Sequence, residues 1–72
     1  MRETRAHLRK SQVRELRRAA RMTVRQLATL AGIGEQTLLN AEKGLGSVRK
    51  STYGKIAAAL GVYEDELFIE DG

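Results

Sequence analysis

The chain has 72 residues, no cysteine and a formal net charge of +4. That length supports one domain with one small core, burying only about 60% of the surface the unfolded chain exposes; without thiols there is neither a disulfide framework nor a thiolate metal site. No apolar run approaches the roughly 20 residues of a membrane span, and the start MRETRAHLRK lacks the apolar segment of a signal peptide, so a soluble cytoplasmic protein is expected.

Residues 1–9 read as a basic N-terminal arm, either flexible or a frayed extension of the first helix. From Ser11 onward, Val13, Leu16 and Ala20 recur at helical spacing, with Arg14, Arg18 and Arg21 on the other face. This predicts a first helix over about 10–21. Thr23 is suited to cap a second helix, about 24–31, with Val24, Leu27, Ala28 and Ala31 on its inner stripe. Gly32 is expected to end it in the left-handed conformation. Gly34 then opens a third helix, about 35–43, with Leu38, Ala41 and Glu42 facing inward, and Gly44 is expected to close it as Gly32 closes the second. GLGSVRK, 44–50, reads as a loop. A fourth helix, about 50–60, carries Tyr53, Ile56, Ala57 and Leu60 on one face and stops at Gly61. A last short helix, about 63–68, holds Leu67 and Phe68 before an acidic tail at 70–72. No strand signal is seen. The expected fold is all-α, a compact bundle of five short helices in one domain over 10–69.

Charge is uneven along the chain. Residues 1–25 carry nine basic groups against two acidic ones, and residues 26–72 carry four basic against seven acidic. A basic half suggests a polyanion, either nucleic acid or an anionic membrane surface, unless it is only a solvated charged face.

The three-residue connection Gly32-Ile33-Gly34 forces the second and third helices to cross steeply, as in a helix-turn-helix. Ala28 and Ala31 are small enough for that crossing, and Ile33 can fill the corner. The third helix then turns Leu38 and Ala41 inward and leaves Glu35, Gln36, Leu39, Asn40 and Lys43 outside.

VRELRRAARMTVRQLATLAGIGEQTLLNAEKG followed by STYGKIAAALGV resembles the Xre-like, Cro/cI-type phage-repressor helix-turn-helix family over roughly residues 13–68. The resemblance rests on Leu27-Ala28, Gly32, Leu38, Glu42-Lys43-Gly44, Lys55-Ile56-Ala57 and Ala59-Leu60-Gly61, in order and at the family's spacing. It implies a DNA-binding transcriptional regulator, a repressor, whose third helix enters the major groove of a pseudo-palindromic operator, with a homodimer formed at least on DNA. Glu35, Gln36 and Asn40 fall where the family reads base edges. Thr23 and the start of the second helix fall at a phosphate contact, and Lys43, Arg49 and Lys50 where the flanking backbone is gripped. Arg17 and Glu42 correspond to a partly buried ion pair. No cofactor and no enzymatic activity are implied. Three positions depart from the pattern: Val24 stands where Gln is usual, Val48 where Pro is frequent, and Tyr63 where a capping Ser is usual.

The side chains themselves are consistent with such roles. Gln36 and Asn40 are four apart, on one helical face, and such amides can bond adenine N6 and N7. Glu35 can accept from cytosine N4. Leu39 can touch a thymine methyl, or pack against the arm or a partner subunit. Arg25 can replace the phosphate contact missing at Val24, and Arg14, Arg18 and Arg21 add positive charge. His7 has no second ligand nearby, and Ser11, Ser47 and Ser51 read as caps or loop residues without a base beside them, so neither a metal site nor a hydrolytic site is expected. Leu67-Phe68-Ile69 forms either the lid of the core or a dimer surface. The competing function is a helix-turn-helix used as a protein-interaction module, antitoxin-like or adaptor. The acidic Glu35, the apolar Leu39 and the negative C-terminal half favour it.

Overall fold

Backbone bonding at the two chain ends sets the frame. In the computed structural model, which describes residues 9–44 and 48–70, Arg9–Ser11 (β1) pairs antiparallel with Phe68–Glu70 (β2). The register sets Lys10 opposite Ile69 and Ser11 opposite Phe68. Between them, among the described residues, lie four α-helices, Val13–Ala19 (α1), Val24–Ala31 (α2), Glu35–Lys43 (α3) and Lys50–Leu60 (α4), and a 3₁₀ turn at Glu64–Leu67.

The expected five helices are therefore four. The last is reduced to the 3₁₀ turn because the chain extends at Phe68 to form β2. The first helix likewise starts at Val13 and not at residue 10, because residues 9–11 are held extended by β2. The main-chain N–H of Gln12 donates to Leu67 O at 2.7 Å, and its side-chain amide donates to Glu66 O. The Ser11 hydroxyl takes the Val13 N–H at 3.2 Å. Arg9 and Glu70, placed by sequence in the arm and the tail, pair across this sheet; residues 1–8 and 71–72 lie outside the described residues. So does most of the tip of the expected loop, residues 45–47.

α1 also ends sooner than the sequence suggests. Ala20 is its exposed C-cap, not part of the inner stripe, and Arg21 takes φ 60°. The Arg21 N–H bonds Arg18 O at 3.0 Å and the Met22 N–H bonds Arg17 O at 3.1 Å. These two bonds form a Schellman closure with arginine at the left-handed position. α2 starts with a reciprocal capping box: the Thr23 hydroxyl accepts from Gln26 N at 3.0 Å, and Gln26 Oε1 accepts from Thr23 N at 2.8 Å. It ends at Gly32, φ 74°, where Ile33 N bonds Ala28 O at 2.9 Å. α4 closes the same way through Val62 N and Ala57 O at 3.0 Å. α3 does not. Gly44 has φ 133° and ψ −177°, and its carbonyl instead accepts the buried Tyr53 hydroxyl at 2.6 Å. Burial pushes the Tyr53 hydroxyl above its ordinary pKa, so this donor stays protonated further into the alkaline range than an exposed tyrosine would. At the 3₁₀ turn, where the usual capping Ser is replaced by Tyr63, the Glu66 carboxylate takes the Tyr63 N–H at 3.0 Å.

The core consists of Val13, Leu27, Ala28, Leu38, Ala41, Tyr53, Ile56, Ala57 and Leu67. Phe68 meets the Tyr53 ring edge-on at 4.9 Å, while Ile69 points outward. Leu16, Met22, Ile33, Leu60 and Val62 seal its margins.

Left-handed backbone at a non-glycine residue costs about 1–2 kcal/mol, against the roughly 0.5–1 kcal/mol of chain entropy that glycine loses on folding. Arg21→Gly is therefore expected to raise the unfolding free energy by about 0.5–1 kcal/mol in urea titrations. A decrease would mean that the exposed Arg21 side chain contributes more than its backbone costs.

Candidate nucleic-acid interface

The α2–turn–α3 unit is held at three points. Thr23 caps its start, Gly32 turns the chain at its middle, and Ile33 seats on the core beneath the bend. Leu38 and Ala41 on α3 are fully buried, which fixes the rotation of that helix about its axis. Glu35, Gln36, Leu39 and Lys43 are left exposed and Asn40 half-buried. Gln36 Nε2 donates to Asn40 Oδ1 at 3.2 Å, so the two amides form one unit on the outer face. The bond uses one donor of Gln36 and one acceptor of Asn40. It leaves the Gln36 carbonyl oxygen and the Asn40 amide nitrogen pointing their chemistry outward.

Glu35 has a cationic neighbour. Arg25 Nε lies 3.9 Å from Glu35 Oε2, both side chains well exposed, so the pair shifts local charge more than it stabilises the fold. Asn40 and Arg49 line one groove of about 400 Å³ with Ile33, Gly34, Thr37, Val48 and Thr52. Arg49 is the N-cap residue of α4 and Lys50 its first residue, both exposed. Lys43 is exposed at the C-terminal end of α3. Thr23 stands apart from the others, its hydroxyl engaged in the capping box. The groove adds two hydroxyls, Thr37 and Thr52, that the sequence reading did not single out. Thr37 lies three residues before Asn40, a spacing that could have flagged it; Thr52 reaches the groove only through the placement of α4.

A family profile described as helix-turn-helix matches residues 13–67. The chain belongs to the Xre-like, Cro/cI-type helix-turn-helix family. It is also 42% identical over 62 residues to an uncharacterized HTH-type transcriptional regulator, RghRB, of Bacillus subtilis (strain 168). That alignment covers 85% of this chain and 45% of RghRB, so the chain spans less than half the length of the curated relative it matches. No helix among the described residues is long and apolar enough to cross a membrane.

Within this helix-turn-helix the orientation of α3 is tied to α1 by charge. Arg17 Nε donates to Glu42 Oε2 at 2.7 Å, and Arg17 Nη1 donates to Met22 O at 2.9 Å. The two side chains are only 12% and 9% exposed. One guanidinium thus joins α1, the α1–α2 turn and α3. Both charges have been drawn out of water, so each depends on the other. Arg17→Ala or Glu42→Ala is expected to lower the unfolding free energy by about 3–5 kcal/mol, because the remaining charge loses its partner. The double change Arg17→Met with Glu42→Leu should cost less than either single one. Urea titrations of all three variants test this, and additive single losses would show that the charges act independently.

Proposed function

We propose that this chain is the sequence-specific DNA-binding domain of a transcriptional repressor, with α3 set into the major groove and residues 10–69 as the folded unit. The observation that carries the reading is the paired Gln36–Asn40 unit on the outer flank of a helix whose inner flank is fully buried. With one acceptor on Gln36 and one donor on Asn40 still available, the pair complements the N6 donor and N7 acceptor of a single adenine. Glu35 accepts from a cytosine N4, its charge moderated by Arg25. Leu39 lies on the same flank, 39% exposed, against a thymine methyl.

Phosphate contacts come from helix ends and not from the base-facing flank of α3. Thr23 and Arg25 stand at the start of α2, Lys43 at the end of α3, and Arg49 and Lys50 at the start of α4. Such contacts set position and affinity and carry no base preference. A domain of this size spans few base pairs, so two copies on a pseudo-palindromic operator, with half-sites about 10–10.5 bp apart, supply the specificity. The similarity to RghRB, named as an HTH-type transcriptional regulator, supports the regulatory assignment. Action on DNA places the protein in the cytoplasm and requires no cofactor.

Selection of bound duplexes from a random library, followed by binding titrations on the best site, tests both halves of the mechanism. Gln36→Ala or Asn40→Ala is expected to cost about 1–3 kcal/mol on that site and to relax preference at one base pair. Equal losses on every sequence would remove base reading from α3.

Lys50→Ala or Arg49→Ala should instead weaken binding to all sequences alike. Each should also reduce the dependence of log K on log salt by about 0.9. An unaltered slope would take that residue out of the phosphate contacts.

A further inference from the structure

Leu30, near the C-terminal end of α2, is 59% exposed. It borders an open, shallow cleft lined by Arg21, Met22, Arg25, Gln26, Thr29 and Leu30. Positions 25, 26, 29 and 30 recur at three- and four-residue spacing and form one strip along α2, opposite the stripe that Leu27 and Ala28 bury. Arg21 and Met22 join the strip from the α1–α2 turn.

The lining has a definite character. Met22 and Leu30 supply apolar surface, two arginines stand beside it, and no acidic residue is among the six. The carboxylate paired with either arginine is Glu35, 3.9 Å from Arg25 and outside the cleft. The Gln26 side-chain oxygen is occupied by Thr23 N, which leaves its amide nitrogen to donate. Every polar group presented by Arg21, Arg25 and Gln26 is thus a donor. A DNA backbone would satisfy those donors but leave Leu30 facing water.

We infer that this cleft is a docking site for an acidic peptide segment of a partner protein. A large apolar side chain of that segment sits against Met22 and Leu30, and carboxylates on either side of it pair with Arg21 and Arg25. The inference does not depend on the DNA reading, since none of the six residues lies on α3 and only Arg25 is shared with the proposed phosphate contacts.

The test is a fluorescence-anisotropy titration of the whole chain into a labelled synthetic peptide, Glu-Asp-Trp-Leu-Asp-Glu. A second peptide, with Trp and Leu replaced by Ser, keeps the charge and removes the apolar part. The first peptide should bind at least roughly tenfold more tightly than the second. Leu30→Asp, and separately Arg21→Gly combined with Arg25→Ser, should each weaken the first peptide by roughly tenfold or more. Arg18→Ser, which removes an exposed arginine outside the cleft, should leave it near the parent value. All of these positions are exposed, and circular dichroism of each variant checks that its helices are kept. Equal binding of the two peptides, an Arg18→Ser loss as large as the cleft variants', or no binding of the first peptide would overturn the proposal. So would Leu30-dependent self-association of the chain in sedimentation, which would make a second copy the occupant.

Discussion

The burial of Leu38 and Ala41 decides what α3 can do, because a helix with two fully buried residues on one flank cannot rotate without opening the core. The core is small, with nine buried side chains among the described residues, so no other part of it can compensate for a misplaced α3. Arg17 fastens the same helix from the other direction through Glu42. Apolar packing fixes the rotation of α3, and the ion pair ties its later half to α1. The outward flank, from Glu35 to Asn40, inherits its position from these two constraints and contributes little to them.

Three of the four helix C-termini, those of α1, α2 and α4, share one device. Met22, Ile33 and Val62 each follow a left-handed residue, each returns its N–H to a carbonyl five residues back, and each rests on the margin of the core. The closure thus does two things at once: it satisfies carbonyls that the helix leaves free, and it fixes the angle at which the chain departs. Gly32 and Gly61 adopt the turn without steric cost, whereas Arg21 does so with a side chain. That difference places a cation at the one closure that borders the cleft beside Leu30.

The limits of α2, α3 and α4 were legible because their signals are local. A Thr at the N-cap, glycines after the last helical residue and a three-to-four apolar spacing all lie within a few residues of one another. The outward flank of α3 was legible for the same reason. β1 and β2 were not, since three-residue strands are too short to show alternation and their pairing joins the two ends of the chain. The early stop of α1 was hidden because arginine carries no left-handed signal. Arg17–Glu42, 25 residues apart, came from the family pattern and not from any periodicity. The cleft beside Leu30 depends on the angle at which α1 meets α2, which no local pattern encodes.

Under the proposed function, charge is divided between elements in a way that separates positioning from reading. α3 holds Glu35, Glu42 and Lys43, so it has little attraction of its own for a polyanion. Arg17 neutralises Glu42 inside the fold, and Arg25 stands near Glu35 at its surface. Most other exposed cations lie off α3, on α1 and the turn after it and at the start of α4, with Lys43 at the very end of α3. Long-range attraction is weakly selective in geometry, and on α3 itself it would hold any sequence as firmly as the right one. In the proposed complex, with most cations set around it, α3 is left to short-range hydrogen bonds and apolar contact, which are the interactions able to tell one base pair from another.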